Sequence, residues 1–542
     1  MAITLYILPG SPPCWLVLLV AKYLGVEVKI RNVDVANKEQ LSEEYLKINP
    51  FRKVPAMDDD GFVVYESSAI AYYLLRKYAP KAELYPEDIK LRTRIDQVLA
   101  AIYATVHPQV ADFFRRRILL KTKPTAEEVT AFEDNVVRGI EQLIGDGKYA
   151  VGDNLTLADL AILPQLTLPL EISSIYHSKY PKLASYYGRI KSQLPYFEEM
   201  YRAVIDHAKQ QWAALNVRLA LRKLRHPILY NDRALSSSDS LRKERGKITG
   251  CVNDLARHGG TWAEAGGGGA AGQATPTAPS PKDGHGIHCS SGTGREWSRH
   301  RLVVARNASI HFGAFASCRA PPTPSAMPYT LYNLYGSPPC ALVRMLAKHI
   351  GVDLELKNVD TFKREHFAPE YLKLNPFHKI PTFSDDGFII YESSAICYYL
   401  LRKHAPENEL YPNCPKARAR IDQALATITS TIQPHYFKFL IPRFYDLKKP
   451  TAEEVEQFEE NVVKGFEHVL GEGNYVLGDK LSLADLSLVA HLTLVLEVPF
   501  LDAEKYPKLK AYYDRLKVEL PYFEEVNRQG ISALGTLCAG LK

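Results

Sequence analysis

No apolar run in this chain of 542 residues approaches the roughly 20 residues needed to cross a bilayer. The strongest candidate, Trp15 to Val20, has no Lys or Arg before it and its counterpart recurs internally at 341–347, so it is not expected to be a signal-peptide core. Cytoplasm is the expected compartment. Cysteine is sparse: the eight cysteines, at 14, 251, 289, 318, 340, 397, 414 and 538, form no CxxC pair and no metal-ligand spacing. Neither a disulfide framework nor a metal centre is therefore expected. A strong charge of one sign is also missing. The net charge is +6, but residues 217–326 hold sixteen Lys and Arg against seven Asp and Glu, a surplus of nine that leaves −3 for the rest. No nucleic-acid or membrane surface is expected outside that segment.

The same segment lacks apolar periodicity. With Gly266–Gly269 and a Pro/Ser/Ala run at 274–281, it cannot bury enough surface to offset chain entropy, and 216–326 is expected to be a disordered linker. Its basic residues suit an acidic partner. Read-through between two adjacent coding units is the simpler explanation, because Met327 stands where a second initiator would.

What the chain does have is a duplication. Adding 326 to a position in the first copy gives its counterpart in the second, without a gap from Met1/Met327 to Leu194-Pro195/Leu520-Pro521, and 59 of the first 100 aligned positions are identical. Each copy divides into a mixed first part, 1–80 and 327–406, and an all-helical second part, 88–215 and 414–541. In the first copy the pattern predicts strands at 4–8, 27–33, 54–57 and 62–65, with Asp58–Gly61 as a hairpin turn. Helices are predicted at 14–24, 39–47 and 66–77, then at 88–118, 126–144, 156–168, 179–192 and 196–213. The order βαβαββα resembles the thioredoxin fold. Thr156/Asp159 and Ser482/Asp485 fit helix N-caps with an acidic residue three positions on, a structural role.

The pentapeptide Gly-Ser-Pro-Pro-Cys occurs at 10–14 and again at 336–340. It places a serine hydroxyl at the open N-terminus of a helix, a point suited to a small anion or thiolate, although Pro-Pro also simply opens helices. Ser-Pro-Pro-Cys after the first strand, Asn-Pro-x-x-x-Val/Ile-Pro before the third and Glu-Ser-Ser-Ala-Ile opening the third helix together resemble the cytosolic glutathione transferases. Ser-Pro-Pro-Cys with Tyr-Glu-Ser is most similar to the delta/epsilon group of arthropods. The resemblance covers about 1–213 and 327–540.

The resemblance implies an α/β thioredoxin-like domain followed by an all-α domain in each copy, and an enzyme that joins the thiolate of reduced glutathione, its co-substrate, to hydrophobic electrophiles. Ser11 and Ser337 would donate to the glutathione sulfur and favour thiolate over thiol. Val54-Pro55 and Ile380-Pro381 would be cis turns whose preceding residue pairs with the tripeptide backbone. Glu66-Ser67 and Glu392-Ser393 would hold the γ-glutamyl end, the carboxylate answering its ammonium and the helix start its carboxylate. At the glycine end the second copy keeps two histidines of the family, His366 and His378. The first has Gln40 and Arg52 there, which changes donor geometry and implies weaker glutathione binding by the first copy. Ala111 and Phe114, with Phe437 and Leu440, are the expected lining of the electrophile pocket.

Rival readings remain at this level. Tyr6 and Tyr332 could replace the serines as thiol donors, and Cys14 and Cys340 could support thiol reduction, although a lone helical Cys is usually a small buried hydrophobe. Domains of this family also serve as non-catalytic ligand carriers or assembly modules. The resemblance further implies pairing about a twofold axis, either between the two copies or as a homodimer. A flexible linker of about 110 residues reaches roughly 55–60 Å, enough for the former.

Overall fold

Alternation of apolar and polar side chains sets the centre of the first sheet. In the strand Ile3–Ile7 (β1), Ile3, Leu5 and Ile7 are buried while Thr4 and Tyr6 are only half-buried, the two-residue period of a sheet with one face against a core. The structure is a computed structural model that describes residues 3–118, 121–172, 179–225 and 329–541, with the backbone alone for 118 and 215–225. β1 pairs in parallel with Val28–Asn32 (β2) and antiparallel with Ala56–Asp59 (β3), which pairs antiparallel with Phe62–Tyr65 (β4). The strand order is β2-β1-β3-β4. Tyr329–Asn333, Leu354–Asn358, Thr382–Asp385 and Phe388–Tyr391 (β5 to β8) repeat it as β6-β5-β7-β8.

A parallel strand pair needs a crossover, and the helix Pro12–Tyr23 (α1) supplies it. Every residue from Pro12 to Ala21 is buried. A helix apolar all round has to be covered on all sides, and α1 packs against both Ser67–Tyr78 of its own domain and Leu157–Ile172 of the helical domain. Pro338–His349 repeats this against Ser393–His404 and Leu483–Leu496. One apolar core therefore joins the two domains of each copy.

Three expected helices are not regular. The segment 39–47 is a single tight turn, Glu39–Leu41, and a short helix, Glu43–Ile48, parted by the extended backbone of Ser42, whose hydroxyl caps the second. The segment 88–118 consists of Ile89–Ala101 and His107–Ile118 joined by a wider turn at Ile102–Val106, where the N–H of His107 donates five residues back to Ile102. Ile428–Ile432 is the same turn in the second copy, closed by Gln433. Pro108 and Pro434 follow directly, and without an N–H for the carbonyl four residues back they work against a regular turn. A second wide turn, Glu133–Val137, interrupts 126–144. The last helix of the first copy, Tyr196–Arg225, continues past the expected end at 213 through a stretch rich in Leu, Ala, Arg and Lys, all good helix formers. The rest of the expected linker, 226–326, lies outside the described residues.

Asp159 has the structural role expected of it. It is fully buried and accepts from the N–H and hydroxyl of Thr156, the N–H of Ala150 and the Tyr186 hydroxyl at 2.6–3.0 Å. Asp485 accepts the matching set from Ser482, Val476 and Tyr512.

The two copies also pack against each other. Phe51 reaches the second copy's core and His468, and Phe377 enters the first copy's core beside Gly139. Between these contacts lies a buried polar network. Arg76 donates to Asp422 at 2.5 Å and to the Tyr411 hydroxyl at 2.6 Å, and Arg402 donates to Asp96 at 2.5 Å and Tyr85 at 2.8 Å. Gln423 accepts from the N–H of Tyr65, and Gln97 from that of Tyr391, both at 3.0 Å.

Candidate functional site

The repeated pentapeptide forms the turn between β1 and α1. Gly10 has φ +85° and Gly336 φ +79°, a backbone region that L side chains rarely adopt. Space is short as well: a Cβ at Gly10 would stand 2.9 Å from Val204 of the last helix, and in the second copy the same helix brings Gly530 to Gly336. The turn is thus held against the helical domain of its own copy. Ser11 and Ser337 occupy the N-cap position in extended conformation, and neither hydroxyl caps its helix. Both are half-buried, so each hydroxyl stands at a helix N-terminus whose amides add positive potential.

Cys14 and Cys340 are fully buried. Burial pushes each thiol up to about 11, with a hydrogen bond from the neighbouring serine hydroxyl offsetting only part of the rise. Thiols so protonated are poor nucleophiles, which argues against the redox reading. The Tyr6 ring lies against Tyr45 and under Arg31, and Tyr332 against Tyr371 and Lys357.

The Val54-Pro55 and Ile380-Pro381 bonds are cis. No hydrogen bond among the described residues uses the N–H or C=O of Val54 or Ile380. A peptide-like ligand laid along this edge would find both groups open. Positive φ in non-glycine residues clusters around the same point: Arg52 at 60°, His378 at 46°, Glu66 at 68° and Glu392 at 70°. Each such residue costs about 1–3 kcal/mol, and here the strain falls on the residues that flank the cis-proline turn and open the helices Ser67–Tyr78 and Ser393–His404. Ser67 and Ser393 are buried at those helix starts, where unpaired amides can meet a carboxylate.

At the expected glycine end, Gln40 and His366 occupy corresponding positions, and each has a buried polar atom, Oε1 and Nδ1 respectively, with no partner among the described residues. His378 stacks on Phe367, with its ring 6.4 Å from that of His366. Burial holds both imidazoles below their ordinary value, and for His378 the neighbouring His366 and Lys379 add to the effect. Arg52 is exposed and lies 3.8 Å from Glu460 of the second copy.

The residues expected to line an electrophile pocket do not converge. Phe114 and Leu440 are core residues, 2% and 1% exposed, Ala111 lies on the surface, and Phe437 is 41% exposed. Phe437 instead borders a cleft of about 330 Å³ between the copies, with His378, Lys379, Thr105 and Asp134.

One part of the site escaped the sequence entirely. The Glu66 carboxylate accepts from three hydroxyls of the second copy, Thr427 at 3.4 Å, Ser430 at 3.2 Å and Thr431 at 3.1 Å, and Lys53 donates to Thr431 at 2.9 Å. The signal was a Thr-Ile-Thr-Ser-Thr run on a helix, whose first, fourth and fifth positions share a face. Glu392 has no hydrogen-bond partner for its carboxylate among the described residues, although Lys379 makes the matching bond to Thr105 at 2.7 Å. Burial raises the Glu392 carboxyl above its usual range, with Lys379 offsetting part of the rise.

Residues 1–76 and 327–402 match the family model of the glutathione S-transferase N-terminal domain, and 98–193 and 425–518 match that of the C-terminal domain. Similar solved structures include a delta-class glutathione transferase of Nilaparvata lugens, 32% identical over 40% of this chain and 100% of that one, with a TM-score of 0.37. An epsilon-class enzyme of the housefly Musca domestica is 31% identical over 39% of this chain and 98% of that one, and a glutathione transferase of Drosophila melanogaster 33% over 39% and 97%, both with TM-scores of 0.37. Each of these relatives has the length of one copy, and the two domain models between them account for both halves of each copy. The chain belongs to the glutathione S-transferase family, as two tandem pairs of its N- and C-terminal domains.

Proposed function

We propose that the chain is a glutathione transferase that joins the thiolate of reduced glutathione to hydrophobic electrophiles, with one glutathione site in each copy. The carrying observation is the repetition, in each copy, of three elements suited to a glutathione ligand. These are a serine hydroxyl that does not cap its helix, an open backbone edge at a cis-proline turn, and a strained Glu-Ser at a helix start. In this reading Ser11 and Ser337 donate to the sulfur and favour its ionised form, which attacks the electrophile. Each unit by which the thiol pKa falls is worth about 1.4 kcal/mol. Val54 and Ile380 pair with the tripeptide backbone, ahead of Pro55 and Pro381. Glu66 and Glu392 answer the ammonium, Ser67 and Ser393 the γ-glutamyl carboxylate, and Arg52, His366 and His378 the glycine carboxylate. Ala111 and Phe437 are the remaining exposed candidates for electrophile contact. The pair of copies takes the place of two subunits.

Conjugation of glutathione to an activated aryl chloride by the full chain tests this. Replacing both Ser11 and Ser337 by Ala is expected to lower turnover about a hundredfold, the scale of losing one donor to a developing anion. Undiminished turnover in that variant refutes the serine assignment. Glutathione binding with no turnover in the unaltered chain favours the carrier reading.

A further inference from the structure

We propose that the two glutathione sites of this chain are unequal at the γ-glutamyl end, because the residues that each receives from the opposite copy differ. Thr427, Ser430 and Thr431 hold the Glu66 carboxylate for a ligand ammonium, whereas Ala101 and Ala104 leave Glu392 unheld. The inference rests on the glutathione reading and goes beyond it by assigning a specificity-determining role to residues of the opposite copy.

Three observations carry it. The hydroxyl bonds to Glu66 all cross from one copy to the other. The offset of 326 places Ala101, Ala104 and Thr105 where Thr427, Ser430 and Thr431 stand, and the matched bonds Lys53 to Thr431 and Lys379 to Thr105 show that the two helices approach the opposite sites in the same way. Both sets lie on or beside the wide turns Ile102–Val106 and Ile428–Ile432, so the irregular turn aims this face at the neighbouring site. In the first site a carboxylate with several donors is fixed before ligand arrives. In the second, Glu392 has lost two of these donors and must be ordered by the ligand itself. Ordering a group in advance strengthens binding by removing that part of the entropy cost.

The test uses the full chain and calorimetric titration with glutathione, one site being disabled at a time by Glu392→Gln or Glu66→Gln. With Glu392→Gln present, adding Thr427→Ala and Ser430→Ala is expected to weaken binding about tenfold, the scale of losing charge-assisted hydrogen bonds that act through a second group. With Glu66→Gln present, the same two changes should alter binding less than about twofold, and Ala104→Ser should tighten it severalfold. The decisive ligand is a glutathione analogue lacking the α-ammonium: toward it the Thr427→Ala/Ser430→Ala effect should vanish. An equal loss with and without the ammonium, or no gain from Ala104→Ser, overturns the proposal while leaving glutathione binding intact. Failure of the unaltered chain to bind glutathione overturns the underlying reading and this one with it.

Discussion

Replacing Arg76 by Met should destabilise the pairing of the two copies by about 3 kcal/mol. Asp422 is 2% exposed and accepts three bonds, from the Tyr398 hydroxyl at 2.6 Å, the Tyr411 hydroxyl at 2.7 Å and Arg76 at 2.5 Å. Among the described residues Arg76 is the only cation bonded to it. Removing one member of a buried pair typically costs 3–5 kcal/mol, because the remaining charge is stranded. The two tyrosine hydroxyls stay and offset part of that, which places the expectation at the lower end. Met keeps the apolar stem, so packing changes little. Urea denaturation of the full chain can follow each copy: Trp15 and Trp212 lie in the first copy, the second has none, and Trp262 and Trp297 lie between them, so with those two replaced by Phe the fluorescence reports the first copy and far-ultraviolet dichroism both. The double variant Arg76→Met/Asp422→Asn removes the stranded charge and should be more stable than Arg76→Met alone by more than about 1 kcal/mol. A loss below that size for Arg76→Met, or simple additivity with Asp422→Asn, would refute the reasoning. Arg402→Met, acting on Asp96, should behave alike.

Three further outcomes are expected. Glu171 is mostly buried; burial alone would raise its carboxyl, but hydrogen bonds from Lys191 and Lys209 outweigh this and hold it at about 2. A depressed carboxylate stabilises the fold above its unfolded value and loses that contribution as pH falls from about 4.5 toward 2. Allowing for solvent screening, Glu171→Gln should therefore cost about 1–2 kcal/mol at neutral pH and almost nothing at pH 2, measured by denaturation at both values. Gly139→Ala should cost about 1–3 kcal/mol and exceed Gly465→Ala, because its Cβ would meet the Phe377 ring at 2.9 Å whereas that of Gly465 meets Ile432 at 3.1 Å and Phe51 only at 3.6 Å. Thiol labelling of the native chain followed by peptide mapping should modify exposed Cys414 and spare Cys14, Cys340 and Cys397, which are buried. Rapid labelling of Cys14 would contradict the packing role argued for it.

The strands and most helices were legible because each follows one local rule. β1 alternates, α1 begins at Pro-Pro and ends before Gly25, and Thr156/Asp159 marks a cap. The cis-proline turns and the Glu-Ser helix starts were legible through their motifs. The wide turns were not, because the apolar pattern of 88–118 continues through them and only Pro108 hinted at a break. Phe114 and Leu440, expected to line a pocket, are buried, and aromatic and aliphatic residues at helical spacing also fill a core, so their pattern does not separate the two roles. The hydroxyls that hold Glu66 stand 361–365 residues away along the chain, so no reading of a single copy could place them at its site.

That last point changes how the two copies compare. Within one copy, Arg52 and Gln40 against His378 and His366 suggest that the first binds glutathione less well. Across the copies the balance is opposite, because the first site receives hydroxyls from 427–431 and the second faces Ala101 and Ala104. The differences act at opposite ends of the same tripeptide, so they separate when the ligand is shortened from either end. Removing the glycine leaves γ-glutamylcysteine, which cannot use the histidines, and binding should then favour the first site. Removing the α-ammonium leaves Glu66 without its partner, and binding should favour the second. Titrating the full chain with both ligands, one site being blocked at a time by Ser67→Glu or Ser393→Glu, whose charge repels the γ-glutamyl carboxylate that both ligands keep, measures the two rankings. The same ranking with both ligands would mean that neither end distinguishes the copies, and that their inequality, if any, lies with the thiol or the electrophile.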